Sequence, residues 1–214
     1  METMTNRDVF TFRDDGGGIT PKQLAATAKH VAACASPDQA RGVLAGVLIE
    51  SGENVVKLTA TDSCRLIHAV IPCDGVPAFD PVIIEAKTLS KLPAFVKDWP
   101  TVGFSYSAGD TFAVFSRGDG GTFPVQAKSG TFAKYRTLIP SEDAYAWPAT
   151  GETVAFDPVL LGGLIDSVGG IVGASRSRQV PVRIVNMAAM KLTAVRATSG
   201  DGIDATGLIM PLRQ

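Results

Sequence analysis

TATDSCRLIHAVIP, residues 59–72, decides how the rest of the chain is read. On either side of Asp62-Ser63, β-branched and apolar residues alternate with polar ones. A period of two marks half-buried antiparallel strands. The pattern predicts one strand over 55–60 and a second over 65–71. Asp62 and Ser63 can hydrogen-bond their own backbone, which favours a tight turn between them. The stretch is therefore a predicted β-hairpin, with no chemically unusual group in it.

Upstream, residues 1–7 read as a loose polar start, 9–13 as a short strand and 14–18 as a glycine-rich turn. Thr20 followed by Pro21 is a helix-start signal, because the hydroxyl can cap free backbone N–H groups and proline tolerates the first helical position. The predicted helix runs over 21–35, with Leu24, Ala28, Val31 and Ala32 on one face, Lys22 and Lys29 on another, and Pro37 as a stop. An apolar strand over 42–50 and a turn at 51–54 lead into the hairpin.

Downstream the same order returns. A strand is predicted over 82–84 and helical spacing over 85–97, with Lys87 and Lys91 on its polar side. Pro93 lies inside that helix and should kink it or move its start to about Ser90. Strands follow over 102–107, 111–117 and 122–127, separated by SAGD and RGDGG turns. Residues 132–139 lead out, and 141–151 read as a linker. A third unit then predicts a strand over 153–156, a helix from Pro158 to about Gly169 capped by Asp157, and strands over 182–186, 190–197 and 205–212.

Strand, helix and three strands thus appear three times. A repeat of this kind predicts an α+β fold of antiparallel sheets with helices on one face. The domain reading is a two-unit domain over 1–140, a linker over 141–151 and a half-domain over 152–214.

Composition narrows the class. The chain has 214 residues, 45% of them hydrophobic, and a formal net charge of −1. That excludes a histone-like or tail-type nucleic-acid binder, though not a locally basic face. The three cysteines, Cys34, Cys64 and Cys73, are odd in number and lack CxxC spacing. With no secretory leader, they read as reduced thiols of a cytoplasmic protein. No apolar run approaches the roughly 20 residues that cross a bilayer.

Three separated segments carry a family resemblance. ATDSCRL (60–66), GTFAKYRTLIP (130–140) and the terminal LIMPLR (208–213) together resemble the bacterial DNA sliding clamp, the β subunit of DNA polymerase III. The resemblance implies a DNA-clamp-like fold of repeated strand-helix-three-strand units. In this family two units make a domain, and six domains ring duplex DNA with helices lining the hole. It implies a processivity factor, not an enzyme, with no cofactor. The implied partners are a DNA polymerase and other proteins carrying clamp-binding peptides, duplex DNA held without sequence specificity, and further copies of the chain in a homo-oligomer. The family's first domain and the first half of its last domain have no counterpart here, which leaves a half-domain face to be covered by self-association. The short form suits a phage or another mobile element.

The family's peptide pocket maps onto Leu44, Thr61, Ser63, Cys64 and Leu66, then Ala133, Thr137 and Leu138, then Leu208, Met210, Pro211, Leu212 and Arg213. Ala133 and Thr137 replace a frequent proline and arginine, and Cys64 replaces a histidine usual in one form, which leaves the pocket in place and the preferred peptide open. The apolar members would serve equally as plain core. The chain end stays apolar to Leu212, which suits a tail packed in a groove and equally a buried edge strand. For DNA the resemblance points to Lys22, Lys29, Lys87 and Lys91, with Arg176 and Arg178 behind them. Diffuse cations near phosphates suffice to hold DNA without reading it. The third helix carries no basic residue.

Other chemistry finds no support. His30 and His68 have no ligand-spaced companions, so no metal site is predicted. Ser63 and Cys64 fall on opposite faces of the hairpin, which argues against a nucleophile pair with His68. The GDGG turn lacks the lysine and the following helix of a phosphate loop. A clamp-fold module that binds clamp-binding peptides without encircling DNA, or that antagonises a host clamp, stands as the alternative.

Overall fold

The computed structural model describes residues 10–13, 19–76, 78–97, 99–117, 120–141, 156–174, 178–187 and 192–211. In chain order these form β1 (Phe10–Arg13), α1 (Pro21–Ala32), β2 (Gly46–Gly52), β3 (Val55–Thr61), β4 (Arg65–Pro72), β5 (Val82–Glu85), α2 (Ala86–Leu89), α3 (Leu92–Val96), β6 (Thr101–Ser105), β7 (Phe112–Ser116) and β8 (Thr122–Lys128). Then come α4 (Pro158–Ile171), β9 (Arg183–Met187), β10 (Leu192–Thr198) and β11 (Asp204–Ile209).

Local chemistry explains most of the boundaries. Thr20 and Gln23 close a reciprocal capping box on α1: the Thr20 hydroxyl accepts the Gln23 N–H at 3.3 Å, and the Gln23 carboxamide accepts the Thr20 N–H at 2.8 Å. The helix stops at Ala32, one turn short of the predicted Ala35. Asp157 caps α4 with its side chain alone, accepting from the N–H groups of Val159 and Leu160. The predicted second helix is two short ones, α2 and α3, broken at Ser90-Lys91 with Pro93 in the first turn of α3. Proline is accepted there and would break the hydrogen-bond ladder of a continuous helix. The predicted strand over 42–50 begins only at Gly46, because residues Gln39–Ala45 wind into 3-10 turns around Gly42, whose φ is +58°. The predicted strand over 153–156 lies almost wholly outside the described residues, as do 1–7, the 14–18 turn and most of the 141–151 linker.

The strands form one eleven-stranded sheet in the order β1-β6-β7-β8-β5-β2-β3-β4-β11-β10-β9, with every neighbouring pair antiparallel. The first two units interlock, since β1 pairs with β6 and β5 pairs with β2. The third unit joins them through β11 on β4, with Leu208 opposite Leu66. Its helix follows: α4 packs on α1, and the buried Cys34 thiol donates to Ser167 on α4 at 3.6 Å. One edge of the third unit, β11, and the buried face of α4 are thus paired within the chain, while β9 stays outermost among the described residues and Val159 on α4 is exposed.

Alternation along the strands divides the apolar side chains between two faces. Val47, Ile49, Leu58, Ala60, Ile67 and Ala69 face α1 to α4 and form the main core. Leu48, Leu66, Ile83, Ala194 and Leu208 face the other way, where they are covered by Tyr135, Phe132 and Leu138. The helices therefore occupy one layer, and the irregular 130–138 segment crosses the opposite face. Among the described residues no helix is long and apolar enough to cross a membrane.

Candidate functional site

The site begins at the β3–β4 turn. Asp62 Oδ1 accepts the N–H groups of Cys64 and Arg65 at 2.9 and 3.0 Å, and its Oδ2 pairs with Arg65 Nε at 2.9 Å. Ser63 sits at φ +83°, and Arg41 holds it from outside through the Asp62 carbonyl and the Ser63 hydroxyl. A carboxylate that satisfies two turn amides and a guanidinium fixes this loop tightly. Beside it, the Met210 N–H donates to the Cys64 carbonyl at 3.1 Å, which ties the end of β11 to the turn.

The third wall is the 130–138 segment. It enters at Gly130, where φ is +129° and a Cβ would stand 2.7 Å from Val43 Cγ1. Only glycine fits such a position without strain. Tyr135 anchors the segment: it is 3% exposed, and its hydroxyl bonds Glu50, which also pairs with Arg136. Next to it Thr59 and His68 share a 2.9 Å hydrogen bond, and the His68 and Tyr135 rings lie 5.2 Å apart. Burial, helped by Lys57, pulls the His68 pKa down to about 4. Burial, followed by the bond to Glu50, pushes Tyr135 up to about 12. Both are neutral at pH 7, so the polar cluster under the segment is close to charge-balanced.

Between these three walls lies a pocket of about 280 Å³. Leu44, Thr61, Ser63, Cys64, Leu66, Ala133, Leu138, Leu208 and Met210 line it, all of them positions read from the sequence. Thr137 instead lines a neighbouring groove, and Pro211 lies half-buried just beyond Met210. Leu212 and Arg213 are outside the described residues. Arg65, Lys134, Tyr135 and Leu192 also line the pocket and were missed. The first three stand inside the quoted motifs, so the signal was present; Leu192 arrives through the β10–β11 pairing and carries no local mark. Leu66 and Leu208 are buried floor, while Met210 is 49% exposed at the rim. The arrangement can bury small apolar side chains of a ligand. Among the described residues that line it there is no acid, base and nucleophile set.

The four lysines that the resemblance assigns to DNA lie in the helix layer. Lys22 and Lys29 on α1, Lys87 on α2 and Lys91 at the α2–α3 break are all exposed. Arg178 follows α4 and pairs with Asp201 at 3.6 Å; Arg176 is outside the described residues. The only charged residue of α4 is Asp166. Among the described residues no group of three or more His, Cys, Asp or Glu side chains could hold a metal ion.

No protein-family model matches the sequence, and no curated protein does. Solved structures do match. The DNA polymerase sliding clamp from Pseudomonas aeruginosa has a TM-score of 0.67 at 16% identity, over 100% of this chain and 69% of that one. The β chain of DNA polymerase III from Streptococcus pneumoniae has 0.60 at 16%, over 100% and 67%. The β subunit from Thermotoga maritima has 0.57 at 15%, over 100% and 68%. At such identities the likeness is one of fold: the chain has the α+β architecture of these clamps.

Proposed function

We propose that this chain, built on the sliding-clamp fold, is a processivity factor that tethers a polymerase to duplex DNA and receives partner proteins through a short peptide. The observation that carries the proposal is the pocket. Three segments far apart in sequence, each resembling a clamp motif, converge on one apolar cavity where β11 joins the first two units. Its chemistry is that of a binding protein, not an enzyme. Leu and Met side chains suit a site that accepts several related peptides, and each apolar side chain buried there is worth about 1.5–3 kcal/mol before ordering costs.

In this reading residues 1–140 act as a complete clamp-like domain, 141–151 as a linker and 152–214 as a half-domain. Lys22, Lys29, Lys87 and Lys91 face the phosphates of the DNA, with Arg176 and Arg178 at the margin. Copies associate through the sheet ends, where β1 and β9 are the outermost strands among the described residues. The protein works in the cytoplasm without a cofactor. One observation favours the second reading, a peptide-binding module that does not encircle DNA: α4 presents Asp166 and no cation, so the basic layer ends at α1.

The test is a fluorescently labelled, leucine- and phenylalanine-containing clamp-binding hexapeptide titrated with protein. Saturable binding at about tens of micromolar or tighter, corresponding to roughly 6 kcal/mol, is expected. Met210→Glu should weaken it at least tenfold. Absence of saturation, or an unchanged affinity in the variant, contradicts the pocket.

A further inference from the structure

The crossing segment that walls the pocket has a second side. There, between it and the β2–β5 pair, lies a groove of about 520 Å³. We infer that this groove is a second docking subsite, which takes the flank of the same partner peptide: an extended stretch carrying an apolar side chain and neighbouring carboxylates. The inference rests on the pocket reading above.

The pocket and the groove are continuous: they share Ala133, Lys134 and Tyr135 as lining. Tyr135 is buried, whereas Ala133 and Lys134 are exposed along the crest between the two cavities. Alanine keeps that crest low, so an extended chain leaving the pocket can pass over it. Specific small-ligand sites run from about 300 to 1,000 Å³. The pocket falls just below that range and the groove well inside it.

Chemistry defines the occupant. Leu48 and Ile83, opposite each other on β2 and β5, form the floor, with half-buried Phe132 at the wall. The acid at the end of the groove, Glu50, is 5% exposed and already engaged by the Tyr135 hydroxyl and the Arg136 guanidinium. The Lys134 side chain is exposed, and that of Arg136 is 72% exposed. With Arg136 offset by Glu50, the exposed Lys134 leaves the groove an apolar floor under a rim of one net positive charge. Acidic groups beside an apolar anchor complement it, whereas a basic flank would meet like charge.

The test compares two labelled synthetic peptides. One is the hexapeptide above. The other is the same peptide extended, in separate versions at each end, by an Asp-Asp-Leu-Gly stretch. One extended version should bind at least fivefold more tightly than the hexapeptide. Thr131→Trp fills the groove from an exposed position that the pocket does not use. It should remove that gain and leave hexapeptide affinity unchanged. Replacing the aspartates by lysines should also remove the gain. If the hexapeptide binds and neither extension improves it, the groove inference alone falls. If the gain survives Thr131→Trp, the flank lies elsewhere and the inference is likewise overturned. If neither peptide binds, the pocket reading falls and the groove inference with it.

Discussion

His68 carries more consequence than its position inside a strand suggests. Its ring is buried beside Tyr135 and bonded to Thr59, with its pKa held near 4. The unfolded chain takes up this proton near pH 6.5, well before the folded chain does. Stability is therefore full above about pH 6.5 and declines as pH falls toward 4, by about 3 kcal/mol over the whole window. Thermal unfolding followed by circular dichroism from pH 7.5 to 4.5 should show the decline, and His68→Gln should flatten it. An equal slope in the variant would contradict the assignment. At the pocket rim the logic is different. Met210 is half exposed, so the Met210→Glu change should cut peptide affinity while shifting the melting temperature by less than about 3 °C, as surface substitutions do. Much of this was legible one residue at a time. Cys64, Leu66 and Met210 were found because they sit in short motifs. The groove was not, because Glu50, Ile83 and Arg136 meet only after β2, β5 and the crossing segment are brought together.

Among the elements, α4 decides whether the third unit belongs to the rest. Its Leu164 is fully buried and lies directly on Gly207 of β11. A Cβ at Gly207 would stand 2.8 Å from Leu164 Cγ, closer than packed atoms allow. Gly207→Ala should therefore cost about 1–3 kcal/mol through overpacking. Chemical denaturation reads that directly, and a second substitution, Leu164→Ala, should recover part of the loss in the Gly207→Ala background. Strictly additive destabilisation would show that the two do not meet. The elements themselves were mostly written in local patterns. Thr20-Pro21 and Asp157-Pro158 start helices where expected, and the alternation around Asp62 gives the hairpin. The misplaced start of β2 has a local cause too. Gly42 takes a positive φ that apolar periodicity does not encode, so the run from Gly42 to Ala45 looked like strand and is not.

At the scale of the whole molecule, the repeat predicted the layers and could not predict the strand order. That β1 reaches across to β6, and that β11 closes onto β4, are pairings between distant segments with no local signature. Their effect is to place the third unit's sheet, its helix and its pocket wall in register with the first two units. Among the described residues the same order leaves β1 and β9 outermost, at opposite ends of the sheet. A strand edge presents unpaired N–H and C=O groups. Two different ends that can meet head to tail generate closed rings or open filaments, not isologous dimers. The proposal of DNA encirclement requires the closed form. Absolute mass by light scattering, measured across a wide range of protein concentration, tests this most directly. A discrete oligomer of three or more chains, whose mass does not change on dilution, is expected. A monomer or a simple dimer throughout would contradict encirclement of DNA.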